Sequence, residues 1–473
     1  MNMLAIMNNG LKGLAFRSVI ILALSLNVHS LVMGQGGEVH PQSASYTWPD
    51  DPLVRSKLEK WRELKFGVIF HWGIYSVPGI VESWALCSED WISRPDSMSY
   101  CEFKEWYWSL KNQFNPENFN PDSWAKAAKD AGMRYMVFTT KHHDGFCMFD
   151  TQETTFKITA GPFAGHKLAD AAKHVFEAFR REGFMTGAYF SKPDWHCEYY
   201  WDPQYATPDR NNNYDIRKHP EKWDRFKQFT HAQIGELMRN YGGIDILWLD
   251  GGWVRPLETV NDEVRSWGAK IPEWSQDIDM PAIAEIARQA QPGLLIVERT
   301  VHGPYENYLT PERRIPENKI DYPWETCVPL GDNWGYVPDD RLKSSREIIH
   351  MLVEIVAKGG SMLLGIGPKP DGTIGAAELE RMKEIGEWLR TNGAAIYGSS
   401  TMDKYQEGDI FFTKNKDGSV NAIVRLDENS ILPEFSWSGL PPKKNTKMKL
   451  LADGAAIPWK QAGDRTIVPF PFR

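Results

Sequence analysis

Two acidic features stand out as groups that could do chemistry. The run "ILWLDGGW" (246–253) places Asp250 at the end of an apolar stretch and before two glycines. A carboxylate there is costly to bury unless something needs it. Asp-Gly is also a common turn signal, so a turn or capping aspartate is the structural alternative. Downstream, "VERTVHGPYENYLTPERRIPENKIDYPWETC" (297–327) holds Glu298, Glu306, Glu312, Glu317 and Glu325, with Arg299 beside the first. Any of these glutamates could be the acid/base partner of Asp250. Loop glutamates are more often merely solvated, and spacing alone does not choose between them.

The histidines form the second set. His71 and Trp72 end the run "VIFHW" (68–72), and "TKHHDGF" (140–146) brings His142, His143 and Asp144 together. Two adjacent histidines and an aspartate invite a metal, or they hydrogen-bond a sugar, since a neutral imidazole both donates and accepts. The 12 histidines include no H-E-x-x-H and no H-x-H. Neighbours on an extended strand point to opposite sides, so His142 and His143 would not readily chelate one ion. The expectation is therefore no metal, with ligation assembled from several loops as the alternative. Without a P-loop, a G-x-S-x-G or a nicotinamide fingerprint, no cofactor is expected either. The 20 Trp, 17 Tyr and 22 Phe add weight to a carbohydrate site, because aromatic faces suit the C–H faces of sugars.

These groups need a scaffold that gathers strand ends. From about residue 51 apolar runs alternate with amphipathic helical segments. Strand-like runs include "KFGVIFHWG" (65–73), "RYMVFTTKHHDGF" (134–146), "FMTGAYFSKPDW" (184–195), "GIDILWLDGGW" (243–253), "LLIVERT" (294–300) and "SMLLGIGPKPDG" (361–372). Nearly continuous apolar strands between helices indicate a parallel sheet covered on both faces. With one gap between residues 301 and 343, the pattern fits an α/β fold of the (β/α)8 TIM-like barrel type over 51–395, with one degenerate unit. His71, His142, His143, Asp250, Glu298 and Arg299 all follow strands, where such barrels build their active sites. A doubly wound open sheet is the alternative, but no G-x-G-x-x-G follows the first strand. Short β-type runs between polar turns over 397–473 indicate a small C-terminal β-sandwich.

The 473 residues suffice for this large domain and a small one. The net charge of −8 argues against nucleic acid or an anionic membrane as partner. Lys12 and Arg17 precede the apolar run "SVIILALSLNVHSLVMG", so residues 1–34 read as an export signal, with an uncleaved anchor as the alternative. A periplasmic or secreted protein, free of the membrane after signal removal, is expected. Cys87, Cys101, Cys147, Cys197 and Cys327 are scattered, and no disulfide is assigned.

Four ordered motifs resemble the α-L-fucosidases of glycoside hydrolase family 29. "KFGVIFHWGIYSVP" is similar to that family's opening motif and "TTKHHDGFCMFDT" to its histidine pair. "LWLDGGW" is similar to its W-x-D-x-x-W nucleophile strand, and "TPE" followed by "PWETC" to its acid/base segment. The resemblance implies a barrel with a C-terminal β-sandwich and an exo-acting, retaining hydrolysis of terminal α-L-fucosyl groups from oligosaccharides or glycoconjugates. Asp250 would be the nucleophile and Glu312 the general acid/base, with Glu306 and Glu298 as reserves. His71, His142 and His143 would bind fucose hydroxyls. Trp72, Glu82, Trp84, Trp248, Arg299 and Tyr189 (or Phe190) would complete the substrate site. One departure is "VESWALC", where Ser83 separates Glu82 from Trp84; many family members have Glu-Trp adjacent. An α-L-galactosidase of the same mechanism and a non-catalytic fucose-binding protein are the alternatives.

Overall fold

The computed structural model describes residues 2–5, 46–88, 94–266, 270–426, 433–443 and 446–469. The expected export signal lies outside the described residues, apart from Asn2–Ala5, whose backbone forms a short strand. Seven strands form one parallel sheet: β1 Phe66–Phe70, β2 Tyr135–Lys141, β3 Met185–Ser191, β4 Ile246–Asp250, β5 Leu295–Glu298, β6 Glu325–Pro329 and β7 Ser361–Ile366. Their order is β5-β4-β3-β2-β1-β7-β6. All but β3 and β4 are buried along their whole length, as expected for strands covered on both faces.

The curled sheet closes across β5 and β6 without a regular strand pair. The segment between them runs through the seam instead. Glu306 bridges Val297, while Leu309 and Glu312 bridge Trp324 and Cys327 in parallel fashion. This is the degenerate unit expected in the 301–343 gap; that gap also contains β6, a short strand that opens on the polar pair Glu325 and Thr326. Among the described residues no helix separates β5 from β6, whereas α1 Pro52–Leu64, α2 Tyr100–Ser109, α3 Pro121–Asp130, α4 Ala171–Arg181, α5 Pro220–Asn240, α6 Asp262–Ser266, α7 Met280–Ala290, α8 Ser345–Ala357 and α9 Ala376–Asn392 accompany the other strands.

Strand parity sorts the side chains. Ile69, Val137, Tyr189, Trp248, Val297, Cys327 and Leu363 share a cluster inside the barrel. Val68, Phe70, Phe138, Phe190, Leu249 and Ile296 have the opposite parity and pack outward against the helices. Trp61 of α1 joins the interior cluster and stacks on Tyr308 at 3.9 Å.

Beyond α9 the chain forms short strands: β8 Gln406–Glu407, β9 Ile410–Lys414, β10 Val420–Val424, β11 Glu434–Ser438, β12 Met448–Lys449, β13 Ala456–Ile457, β14 Lys460–Ala462 and β15 Arg465–Pro469. The sheets Asn2–Ala5·β10·β9·β8, β11·β15·β14 and β12·β13 enclose their own core around Phe412, Phe435, Trp437 and Val468. Arg425 ties this unit to α8 through Glu354, at 3.3 Å. No described helix is long and apolar enough to cross a membrane.

Candidate active site

Interior parity carries past the strand ends and builds a pocket there. His71 lies two residues beyond Ile69, Asp250 two beyond Trp248, and Arg299 two beyond Val297. All six line the pocket except Val297, which lies beneath it in the barrel core. Tyr189 joins from β3, and His142 and His143 from the turn after β2; Trp84 comes from a short 3-10 helix, and Arg210, Trp253, Glu312 and Trp334 from loops.

Arg299 organises the charged groups. Its Nη1 donates to Asp250 Oδ1 at 2.8 Å and its Nη2 to Glu312 Oε2 at 2.8 Å, so one guanidinium spans both carboxylates. Its side chain lies over the Trp248 ring at 4.5 Å, and Nε donates to Thr310 Oγ1 at 3.2 Å. The second Asp250 oxygen accepts from Tyr189 OH at 2.7 Å. Burial alone would raise the Asp250 carboxyl. The opposing pull of Arg299, His143 and the Tyr189 hydroxyl holds it well below the usual carboxylate range. Glu312 Oε1 accepts from Trp334 Nε1 at 3.1 Å. The backbone beyond Arg299 is itself held: Thr300 has φ 67, and Arg255 Nη2 donates to its carbonyl at 2.7 Å.

The histidines depart from the strand-alternation expectation. β2 ends at Lys141, after a register shift between Thr139 and Lys141. His142 and His143 therefore lie in a turn, not on an extended strand, and both face the pocket, with ring centroids 4.2 Å apart. With Asp250 they bring ligand-type atoms within 4.8 Å of one another. Both Asp250 oxygens are already engaged, one by a guanidinium, and that positive charge opposes a second cation. Burial lowers all three imidazoles, His142 to about 4 and His71 and His143 well below their ordinary value. They are neutral at pH 7 and able to donate from one nitrogen and accept at the other. Among the described residues, Nδ1 of His71 and of His143 has no hydrogen-bond partner.

Several named residues lie elsewhere. Trp72 has the outward parity; it packs on Trp124 at 5.1 Å and donates to Lys369 O. Phe190, also outward, receives the Lys141 ammonium on its face at 4.1 Å, which leaves Tyr189 as the pocket residue of the pair. Glu82 is outside the pocket lining, and its Oε1 accepts Gly335 N–H at 2.5 Å. Glu298 points outward to Lys192 at 3.2 Å, and Glu306 pairs with His302 at 2.7 Å. Of the glutamates named as acid/base candidates, Glu312 alone among the described residues lines the pocket. Glu325 sits in the barrel below it, bonded to Tyr135 and Trp248, with burial pushing its carboxyl up to about 7.

Sequence reasoning missed Arg210, Trp253 and Trp334. Trp253 belongs to the "LDGGW" motif, so a signal was present. Arg210 and Trp334 sit in long loops without periodicity. The Arg210 guanidinium lies over Trp84 at 4.8 Å and Trp253 at 5.1 Å, forming one wall.

Comparison with known proteins gives the family and the fold. A family profile described as "Alpha-L-fucosidase" matches residues 35–394. The chain belongs to the α-L-fucosidase family, glycoside hydrolase family 29. This α-L-fucosidase family member is 28% identical to human tissue α-L-fucosidase over 439 residues, 88% of this chain and 86% of that protein. The structure of α-L-fucosidase isoenzyme 1 from Paenibacillus thiaminolyticus superimposes with TM-score 0.72 and 30% identity, covering 89% of this chain and 96% of that one. The Thermotoga maritima α-fucosidase, solved in complex with fucose, gives TM-score 0.68 and 26% identity, covering 90% and 96%.

Proposed function

We propose that the chain is an exo-acting, retaining α-L-fucosidase that releases terminal α-L-fucosyl groups from glycans. The observation that carries this reading is the placement of Asp250 and Glu312 on the two arms of Arg299, inside one aromatic-walled pocket. A retaining glycosidase needs two carboxyl groups about 5–5.5 Å apart, flanking the anomeric carbon.

In the first step the Asp250 carboxylate attacks that carbon, and the bond to the leaving oxygen breaks as Glu312 gives it a proton. The product is a fucosyl ester on Asp250, and Glu312 is left as a carboxylate. Esterification removes the negative charge of Asp250, so Arg299 is then free to stabilise Glu312 in its ionised form. In the second step Glu312 takes a proton from water, the hydroxide oxygen attacks the anomeric carbon, and Asp250 leaves as carboxylate. Two displacements retain the configuration. Neutral His71, His142 and His143 match the sugar hydroxyls, and Ile69, Trp248 and Trp334 supply apolar surface for the C6 methyl. The same reading gives Trp84, Trp253 and Arg210 to the pocket wall rather than to the reaction.

The deciding experiment is Asp250→Ala assayed with an aryl α-L-fucoside. Loss of essentially all fucose release is expected; substantial residual activity would defeat the assignment. A matched aryl α-L-galactoside measures the contribution of the C6 methyl, and the fucoside should have the higher kcat/KM. Export rests on the N-terminal sequence alone. Mass spectrometry of the protein recovered from its producing cells should show an N-terminus near residue 34.

A further inference from the structure

We propose that Glu82 is a positioning residue for the leaving-group step: it anchors the loop that carries Trp334, and the Trp334 indole N–H holds the Glu312 carboxyl in place. The inference rests on the acid/base reading of Glu312.

Glu312 is held by two donors of different origin. Arg299, on one oxygen, is fixed to the barrel. Trp334, on the other, comes from the excursion after β6, which contains no helix or strand over residues 331–343. Such a segment keeps an indole in place only if its own backbone is tied down. On the N-terminal side of Trp334, Asp340 accepts the backbone N–H of Asp332 at 3.2 Å and of Asn333 at 3.1 Å. On the other side, Gly335 N–H donates to Glu82 Oε1 at 2.5 Å. Glu82 is 1% exposed, so this bond is shielded from water.

The fit at Gly335 is close. A Cβ there would come within 2.9 Å of the Tyr75 ring, and a Cβ on Gly367 within 2.4 Å of the Gly335 carbonyl carbon. The loop is thus gripped between the segment after β1 and the segment after β7, and Glu82 supplies the polar part of that grip. The family resemblance would give Glu82 to a sugar hydroxyl. Here Ser83 is interposed, Trp84 keeps the pocket, and the Glu82 oxygen is spent on backbone.

A general acid matters in proportion to the basicity of the leaving oxygen. A sugar alcohol needs the proton; a 2,4-dinitrophenolate does not. Comparing kcat/KM for a fucosylated oligosaccharide and for 2,4-dinitrophenyl α-L-fucoside therefore reads the acid step. Glu82→Ala should lose about tenfold or more on the oligosaccharide and stay within about threefold on the dinitrophenyl substrate. Trp334→Phe removes the N–H donor together with part of the pocket wall, so both substrates should lose some activity, but the oligosaccharide should lose more than the dinitrophenyl substrate by about the same tenfold factor. Glu82→Gln keeps an acceptor oxygen and should restore most of the oligosaccharide activity. An equal fall on both substrates, or no fall on either, overturns the inference; the first would mean direct sugar contact or general loss of structure. If Glu82→Ala fails to fold, the Trp334→Phe split decides. Azide with Glu312→Ala tests the underlying reading separately. Without fucosyl azide the acid/base assignment fails; with it, and without the leaving-group split, only the Glu82 inference fails.

Discussion

The two carboxyl groups of the pocket are delivered by opposite kinds of structure. Asp250 ends β4, a regular strand paired on both sides, and its direction follows from strand parity. Glu312 sits on a segment with no helix, attached to the barrel by isolated bridges to Val297, Trp324 and Cys327. That segment is bracketed by two non-glycine residues in the left-handed region, Thr300 at φ 67 and Arg313 at φ 54. Such conformations are costly for a threonine and persist only where the surroundings hold them. Arg299 and Trp334 supply the order that a strand would otherwise give. On the proposed mechanism, the group that attacks is thus set by the scaffold, and the group that moves the proton is set by side-chain contacts.

Removing the shared contact breaks this comparison most severely. Arg299→Met should lower kcat/KM by about 10³, since it strips a charged donor from both carboxyls at once. Steady-state kinetics on an aryl fucoside check this, and a loss under tenfold would show that the two groups are positioned without it. Next in size, Glu312→Ala should lose about 10²–10⁴ on an oligosaccharide and far less on an activated aryl fucoside, with azide restoring turnover as the glycosyl azide. Equal losses on both substrates would place the acid elsewhere. On the strand-borne side, Tyr189→Phe removes one of the side-chain donors to Asp250 and should cost about tenfold in kcat/KM, with the same factor for both leaving groups. A leaving-group dependence there would erase the distinction drawn between the two regions.

The remaining effect is on stability rather than on rate. His142 is buried neutral, with its value lowered from 6.5 to about 4. Below 6.5 the unfolded chain takes up a proton that the folded chain refuses. Stability is therefore full above that pH and falls as pH drops toward 4, by about 3 kcal/mol in all. Thermal melts from pH 7 to 4.5 should show this loss, and His142→Asn should flatten it by one proton.

The histidine turn shows where sequence reading stops. The strand that carries "TKHHDGF" was legible from its apolar run, but the place where that strand ends was not. A register shift near Thr139 puts His142 and His143 beyond the ladder, on one side of the pocket rather than on two. Similarly, Glu298 and Glu312 looked equivalent as loop glutamates, and outward parity sends the first to Lys192. Glu82 was named with its motif, yet its carboxylate meets the backbone of a loop 253 residues away.

Local patterning by itself determined the parallel barrel, the C-terminal β unit and the strand-end position of Asp250, because burial period and apolar continuity are written in neighbouring residues. The motifs likewise marked His71 and the histidine pair. Only the tertiary structure decided which glutamate enters the pocket, that Arg299 spans both carboxyls, and that Arg210 and Trp334 form its walls. Those outcomes depend on how loops from different strands meet, and contacts between residues far apart in the chain leave no period in the sequence.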